Sequence, residues 1–154
     1  MIRFQTEQTI DRPAQDIWAY AADIVRHPDW MTVTDARVVR GNGTEVGARG
    51  RERYKFGPWT WDIEIEVAEA EPGRRIVWRG LGGAPFQMEF SLELEPVGAS
   101  STLATYGAAI QMHGFWRLLT PLVAMEGRSG PERELLRLKE HMEAAPFELS
   151  EVRP

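Results

Sequence analysis

The 154-residue chain contains no cysteine. It therefore forms neither disulfides nor thiolate metal sites, and it has no thiol nucleophile. It also lacks a run of 18 apolar residues that would span a bilayer, and its N-terminus lacks a secretory signal pattern. We expect a cytoplasmic protein without integral membrane association.

Positive charge and histidine are also scarce. The chain has 18 basic against 23 acidic residues, a net charge of -5, so we predict no nucleic acid partner. Of the three histidines, only His27 has an acidic residue, Asp23, at helical spacing, and two ligands are too few for a typical metal site. No nucleotide-binding fingerprint or serine triad pattern is present, so we predict no metal and no cofactor.

A hairpin with two chemically different faces is predicted between residues 49 and 67. If Gly57 and Pro58 form the bend, three pairs of opposite charge face each other across the strands: Arg53–Asp62, Arg51–Glu64 and Arg49–Glu66. The other face then holds Tyr54 opposite Trp61, and Glu52 opposite Ile63. A slip of one residue would exchange the two faces, so the register is well specified.

Alternation of apolar and polar residues predicts the other strands at residues 2–10, 35–40, 75–80, 86–94 and 101–112. Trp78 should lie opposite Val67. In the last strand we place Tyr106 inward, together with Ala104, Ala108 and Ile110. The strands follow one another in hairpin succession, which favours an α+β fold with helices segregated to the ends of the chain.

Helical signals occur in two places. Asp11 is expected to cap a first helix with Pro13 in its first turn, and a short second helix after Asp23 is expected to end before Pro28. From Phe115 a helical period returns, with an apolar stripe formed by Leu118, Leu119, Leu122, Val123, Leu135, Leu138 and Met142. Gly130 and Pro131 interrupt this pattern, so we expect a kink or two successive helices. Residues 146–154 have no periodicity and are expected to be a flexible tail.

This order of elements resembles a known superfamily. The residues that carry the resemblance are Ile10 to Trp18 (IDRPAQDIW), Asp23, His27 to Trp30 (HPDW) and Leu135 to Lys139 (LLRLK). They are similar to the START-like, helix-grip superfamily (SRPBCC), which includes polyketide cyclase/dehydrase and lipid transport proteins. The resemblance covers residues 1 to about 144 and implies a single domain over 1–145. It implies a seven-stranded antiparallel sheet curved round a long C-terminal helix, with two short helices after the first strand and a cavity for an apolar ligand.

Glu52 is the first candidate for chemistry, because a carboxyl group among apolar side chains can act as a general acid or base. The alternative is a structural role, at a cavity mouth or paired with an inward arginine. Tyr54 and Tyr106 are further catalytic candidates. The predicted ligand-binding residues are Trp30, Glu52, Tyr54, Trp61, Ile63, Trp78, Phe86, Met88, Phe90, Tyr106, Leu119 and Val123. The large aromatic members suit either a ligand pocket or an ordinary core.

Three functions remain open at this point. The first is a carrier or sensor that encloses a small hydrophobic molecule, lipid-like or aromatic, between the sheet and the last helix. The second, implied by the resemblance, is a cofactor-independent cyclase/dehydrase that uses Glu52 with Tyr54 or Tyr106 for proton transfer. The third is an interaction module without a ligand, a homodimer for example.

Overall fold

The computed structural model describes residues 2–56 and 58–144, apart from the side chains of residues 56, 123 and 126–128. The predicted tail, 146–154, lies outside this range. The described strands form one antiparallel sheet in the order β1-β7-β6-β5-β4-β3-β2. Their bounds are β1 Ile2–Ile10, β2 Asp35–Arg40, β3 Arg49–Phe56, β4 Trp59–Glu71, β5 Arg75–Gly82, β6 Phe86–Gly98 and β7 Ser101–Met112.

The helical segments follow the first strand and the last strand of the chain. After β1 come α1 (Ala14–Ala21), a 3-10 turn (Ile24–Arg26) and α2 (His27–Trp30); after β7 come a 3-10 helix (Gly114–Leu119) and α3 (Thr120–Ala144). The main core lies between the sheet and these helices, and its fully buried large side chains include Trp30, Trp78 and Leu135. The predicted helix-grip α+β class is confirmed.

The register of the β3–β4 hairpin agrees with the prediction at every pair from Arg49 opposite Glu66 to Tyr54 opposite Trp61. The charged face carries ion pairs of 3.2 Å for Arg53–Asp62 and 3.5 Å for Arg51–Glu64. Such exposed pairs contribute about 0–1 kcal/mol each, so they bias the register more than they stabilise the fold. On the other face of the hairpin, Glu52, Ile63 and Ile65 are buried against the core.

Two helix boundaries differ from the prediction. Asp11 does not cap α1: Pro13 occupies the N-cap position, and the Asp11 carboxylate accepts a hydrogen bond from the Ser101 hydroxyl at 3.1 Å. Pro28 does not end the second helix but lies in the first turn of α2. A proline is tolerated there, because a first-turn amide has no helical acceptor.

The last helix also differs in two respects. It runs through Pro131 as one helix, so the expectation of two successive helices is wrong. Leu118 and Leu122, predicted on the apolar stripe, are 82% and 52% exposed. Residues 114–119 form a 3-10 helix with three residues per turn, which directs Trp116 and Leu119 inward and leaves Leu118 outside. Further along, Leu135, Leu138 and Met142 are buried as predicted.

Candidate ligand-binding site

A cavity of about 190 Å³ lies between the concave face of the sheet and α3, partly open to solvent. Most of its lining is apolar, and the strands supply it through alternate, inward-facing positions. The lining residues are Phe4, Thr32, Tyr54, Lys55, Trp61, Phe86, Met88, Phe90, Ala108, Ile110, Met112, Trp116, Leu119, Gly130, Pro131, Arg133 and Glu134. The 3-10 helix and α3 close the side opposite the sheet.

Aromatic rings form one wall of this cavity. The Trp61 ring lies 5.4 Å from Phe86 and 5.8 Å from Trp116, both edge to face. Phe90 stacks on Tyr106 at 6.2 Å, which carries the aromatic surface toward the core. Edge-to-face and stacked arrangements at these distances are favourable for aromatic pairs. A ligand that contains a ring would make contacts of the same kind with this wall.

The structure separates the predicted binding residues into two groups. Those that line the cavity are Tyr54, Trp61, Phe86, Met88, Phe90 and Leu119. Those that are buried in the core without lining the cavity are Trp30, Glu52, Ile63, Trp78 and Tyr106. The side chain of Val123 lies outside the described residues.

Glu52 points inward as predicted, but its partner is a histidine and not an arginine. Its Oε2 atom is in direct contact with Nδ1 of His27, and the two side chains are 2% and 0% exposed. The other ring nitrogen, Nε2, lies 3.2 Å from the carbonyl oxygen of Ala21. Because a carbonyl only accepts, we infer that Nε2 carries a hydrogen, which orients Nδ1 toward the carboxyl group. The pair therefore joins α2 to β3 inside the core.

A second buried carboxyl group, that of Glu134, lies at the cavity itself. The side chain is 6% exposed. Its Oε2 accepts a hydrogen bond from the Thr32 amide at 2.5 Å, and its Oε1 accepts one from the Tyr106 hydroxyl at 3.3 Å. Burial raises the pKa of Glu134, and the hydrogen bonds from Thr32 and the charge of Arg137 oppose that shift only in part.

Two tyrosines lie close to these carboxyl groups. Burial, followed by the charges of Glu52 and Glu134, raises the pKa of Tyr54 well above its usual value. Burial and the neighbouring Glu134 do the same for the pKa of Tyr106. Both phenols therefore stay protonated at neutral pH and act as hydrogen-bond donors. The Tyr54 hydroxyl is buried and has no hydrogen-bond partner among the described residues.

Sequence reasoning missed the roles of His27 and Glu134. The sequence pairs His27 only with Asp23, two residues that are too few for a metal site, and in the structure the Asp23 carboxylate caps the 3-10 turn by accepting a hydrogen bond from the Val25 amide. No local signal links His27 to Glu52, 25 residues later in the chain. Glu134 did leave a signal, because it lies four residues before Leu138 and therefore on the buried stripe of α3.

Comparison with known proteins agrees with this architecture. A family model described as "Polyketide cyclase / dehydrase and lipid transport" matches residues 1–143. The chain belongs to this family. No curated protein is similar enough in sequence to count as a match.

Solved structures of low sequence identity share the fold. A START superfamily protein from Mycobacterium smegmatis has a TM-score of 0.78 at 16% identity, and the match covers 92% of this chain and 97% of that one. The protein TTHA0849 from Thermus thermophilus has a TM-score of 0.75 at 22% identity, with 94% and 99% covered.

A third structure comes from a biosynthetic pathway. The di-domain ARO/CYC BexL from the BE-7585A biosynthetic pathway has a TM-score of 0.68 at 19% identity. The match covers 94% of this chain but 47% of BexL, so this family member spans about half of that protein.

Among the described residues, no helix is long and apolar enough to cross a membrane.

Proposed function

We propose that the chain binds a small hydrophobic molecule, lipid-like or aromatic, in the cavity between the sheet and α3, as a carrier or sensor. The observation that carries this proposal is the apolar, ring-lined space of about 190 Å³. Dry apolar cavities of about 150 Å³ in other proteins bind benzene, so the volume suits a body of one or two rings.

Uptake of an uncharged fluorescent dye, N-phenyl-1-naphthylamine, tests the proposal. The dye should become bright and blue-shifted on mixing with the protein. Met88→Trp, which puts a larger side chain into the lining, should weaken binding by about tenfold or more, equivalent to about 1.4 kcal/mol.

Gln87→Trp is the matched control, because Gln87 is the neighbouring residue on β6 and is exposed on the opposite face. It should bind the dye as the unmodified protein does. Absence of uptake, or equal uptake by both variants, would contradict an interior site, and absence of uptake would favour the interaction module without a ligand.

A cyclase/dehydrase activity is the second candidate, supported by the family description and by the likeness to BexL. Proton transfer would then involve Glu52 with Tyr54 or Tyr106, and Tyr54 is the one of these that lines the cavity. The test is cyclisation of a synthetic linear poly-β-ketone, followed by chromatography. Tyr54→Phe, which leaves the His27–Glu52 pair in place, should lower turnover in an enzyme while dye binding is kept, whereas a carrier should show no turnover in either form.

A further inference from the structure

Glu134 differs from an ordinary buried carboxyl group because its described hydrogen-bond partners are neutral. The donors are the Thr32 amide, to Oε2, the Tyr106 hydroxyl, to Oε1, and the Thr32 side chain. A carboxylate offers about four acceptor positions, so acceptor capacity remains after these bonds. The Tyr106 bond, at 3.3 Å, is also longer than a usual O–H···O bond of about 2.5–3.0 Å. The bond from Tyr106 is therefore a weak one.

The position of Glu134 makes this acceptor relevant to a ligand. Glu134 is the acidic residue in the described lining of an otherwise largely apolar cavity. An apolar molecule without a polar group would displace water from the carboxyl group and leave its remaining acceptor capacity unused, which is unfavourable. A molecule that donates a hydrogen bond there would avoid this cost.

The charges around the cavity select among possible donors. Lys55 and Arg133 line the same cavity, so they disfavour a cationic ligand such as an ammonium. Burying an ion is also far more costly than burying a hydroxyl group. A neutral hydroxyl both donates and accepts, which suits a site that also holds the Tyr54 hydroxyl, unpartnered among the described residues.

We propose that the ligand class of this cavity is a neutral molecule of one or two rings that carries a hydroxyl group, and that this hydroxyl donates a hydrogen bond to Glu134. The inference rests on the proposed function, since it requires that the cavity takes a ligand.

Calorimetric titration with two matched probes at pH 7 tests the inference. The probes are 2-naphthol and 2-methylnaphthalene, which differ by a hydroxyl in place of a methyl group. The unmodified protein should bind 2-naphthol about tenfold more tightly, because the hydrogen bond to a carboxylate outweighs the greater hydrophobicity of the methyl group. This comparison needs no variant, so it does not depend on how a substitution folds.

Glu134→Gln should reduce that preference to about threefold or less, because a hydrogen bond to a neutral amide is weaker than one to a carboxylate. Glu140→Gln, an exposed position on the same helix, is the matched control and should keep the preference. Equal affinity of the two probes in the unmodified protein would overturn the inference while leaving the cavity proposal intact. A preference that persists in Glu134→Gln would also overturn it. Failure of both probes and of the dye to bind would contradict the cavity proposal itself.

Discussion

Replacing His27 with leucine is expected to destabilise the fold by about 3–5 kcal/mol, because it leaves the Glu52 carboxylate buried without a partner. The magnitude follows from burial: the two side chains are 0% and 2% exposed, so water cannot replace the lost contact. The substitution also removes the edge-to-face contact of the His27 ring with Trp78, whose centroids are 4.8 Å apart. An exposed ion pair would cost about 1 kcal/mol or less.

Urea unfolding at pH 7, followed by far-UV circular dichroism, measures this effect in a double-mutant cycle of His27→Leu and Glu52→Leu. The double variant should be less destabilised than the sum of the single variants by about 2 kcal/mol, since it buries no uncompensated charge. Arg53→Leu, which breaks the exposed pair with Asp62, is the control and should cost less than about 1 kcal/mol. Additivity within about 0.5 kcal/mol would refute the coupling of the buried pair.

Two further predictions concern a close contact and a titration. Gly50→Ala should destabilise the protein by about 1–3 kcal/mol in the same assay, because the new Cβ would lie 2.8 Å from Cγ2 of Ile24. Gly98→Ala, whose Cβ would have no neighbour closer than 3.5 Å, should change little, and equal effects would contradict this packing. Burial and a hydrogen bond to Asp29 raise the pKa of Tyr20 from 10.0 to about 12. Its stabilising contribution should therefore be complete below pH 10 and be lost as the pH rises to about 12. Phenolate absorbance should show this late titration, and Asp29→Asn should shift it toward its usual range.

The sheet was predictable because side chains alternate between the two faces of a strand, and this local pattern also fixes how neighbouring strands pair. Charges at every second position of β3 and β4 set both the register and the inward face that holds Tyr54 and Trp61. The same rule placed Phe90 and Tyr106 on the concave side. In each case a one-residue error would have exposed a whole apolar row, so the sequence allowed few alternatives.

The helices were less predictable because several local rules compete there. Pro28 is compatible with a helix end and with a first turn, and in the structure it lies in the first turn of α2. Leu118 fits a helical stripe of period 3.6, but the segment adopts a 3-10 helix and turns this side chain outward. Pro131 is buried at the cavity, and α3 continues through it although a proline removes one backbone hydrogen bond. Such outcomes depend on tertiary contacts that no local window contains.

Glu52 and Glu134 are both buried, but they differ in their partners and in their position relative to the cavity. Glu52 is in contact with His27, a partner able to carry the opposite charge, and the pair lies outside the cavity lining. The Glu52 carboxyl group has its partner within the protein, which suits a structural role in holding α2 against β3. Glu134 lines the cavity, and its hydrogen-bond donors among the described residues are neutral. An apolar ligand that displaced water from this carboxyl group would leave part of its acceptor capacity unused, so its position favours recognition of a polar group on the ligand.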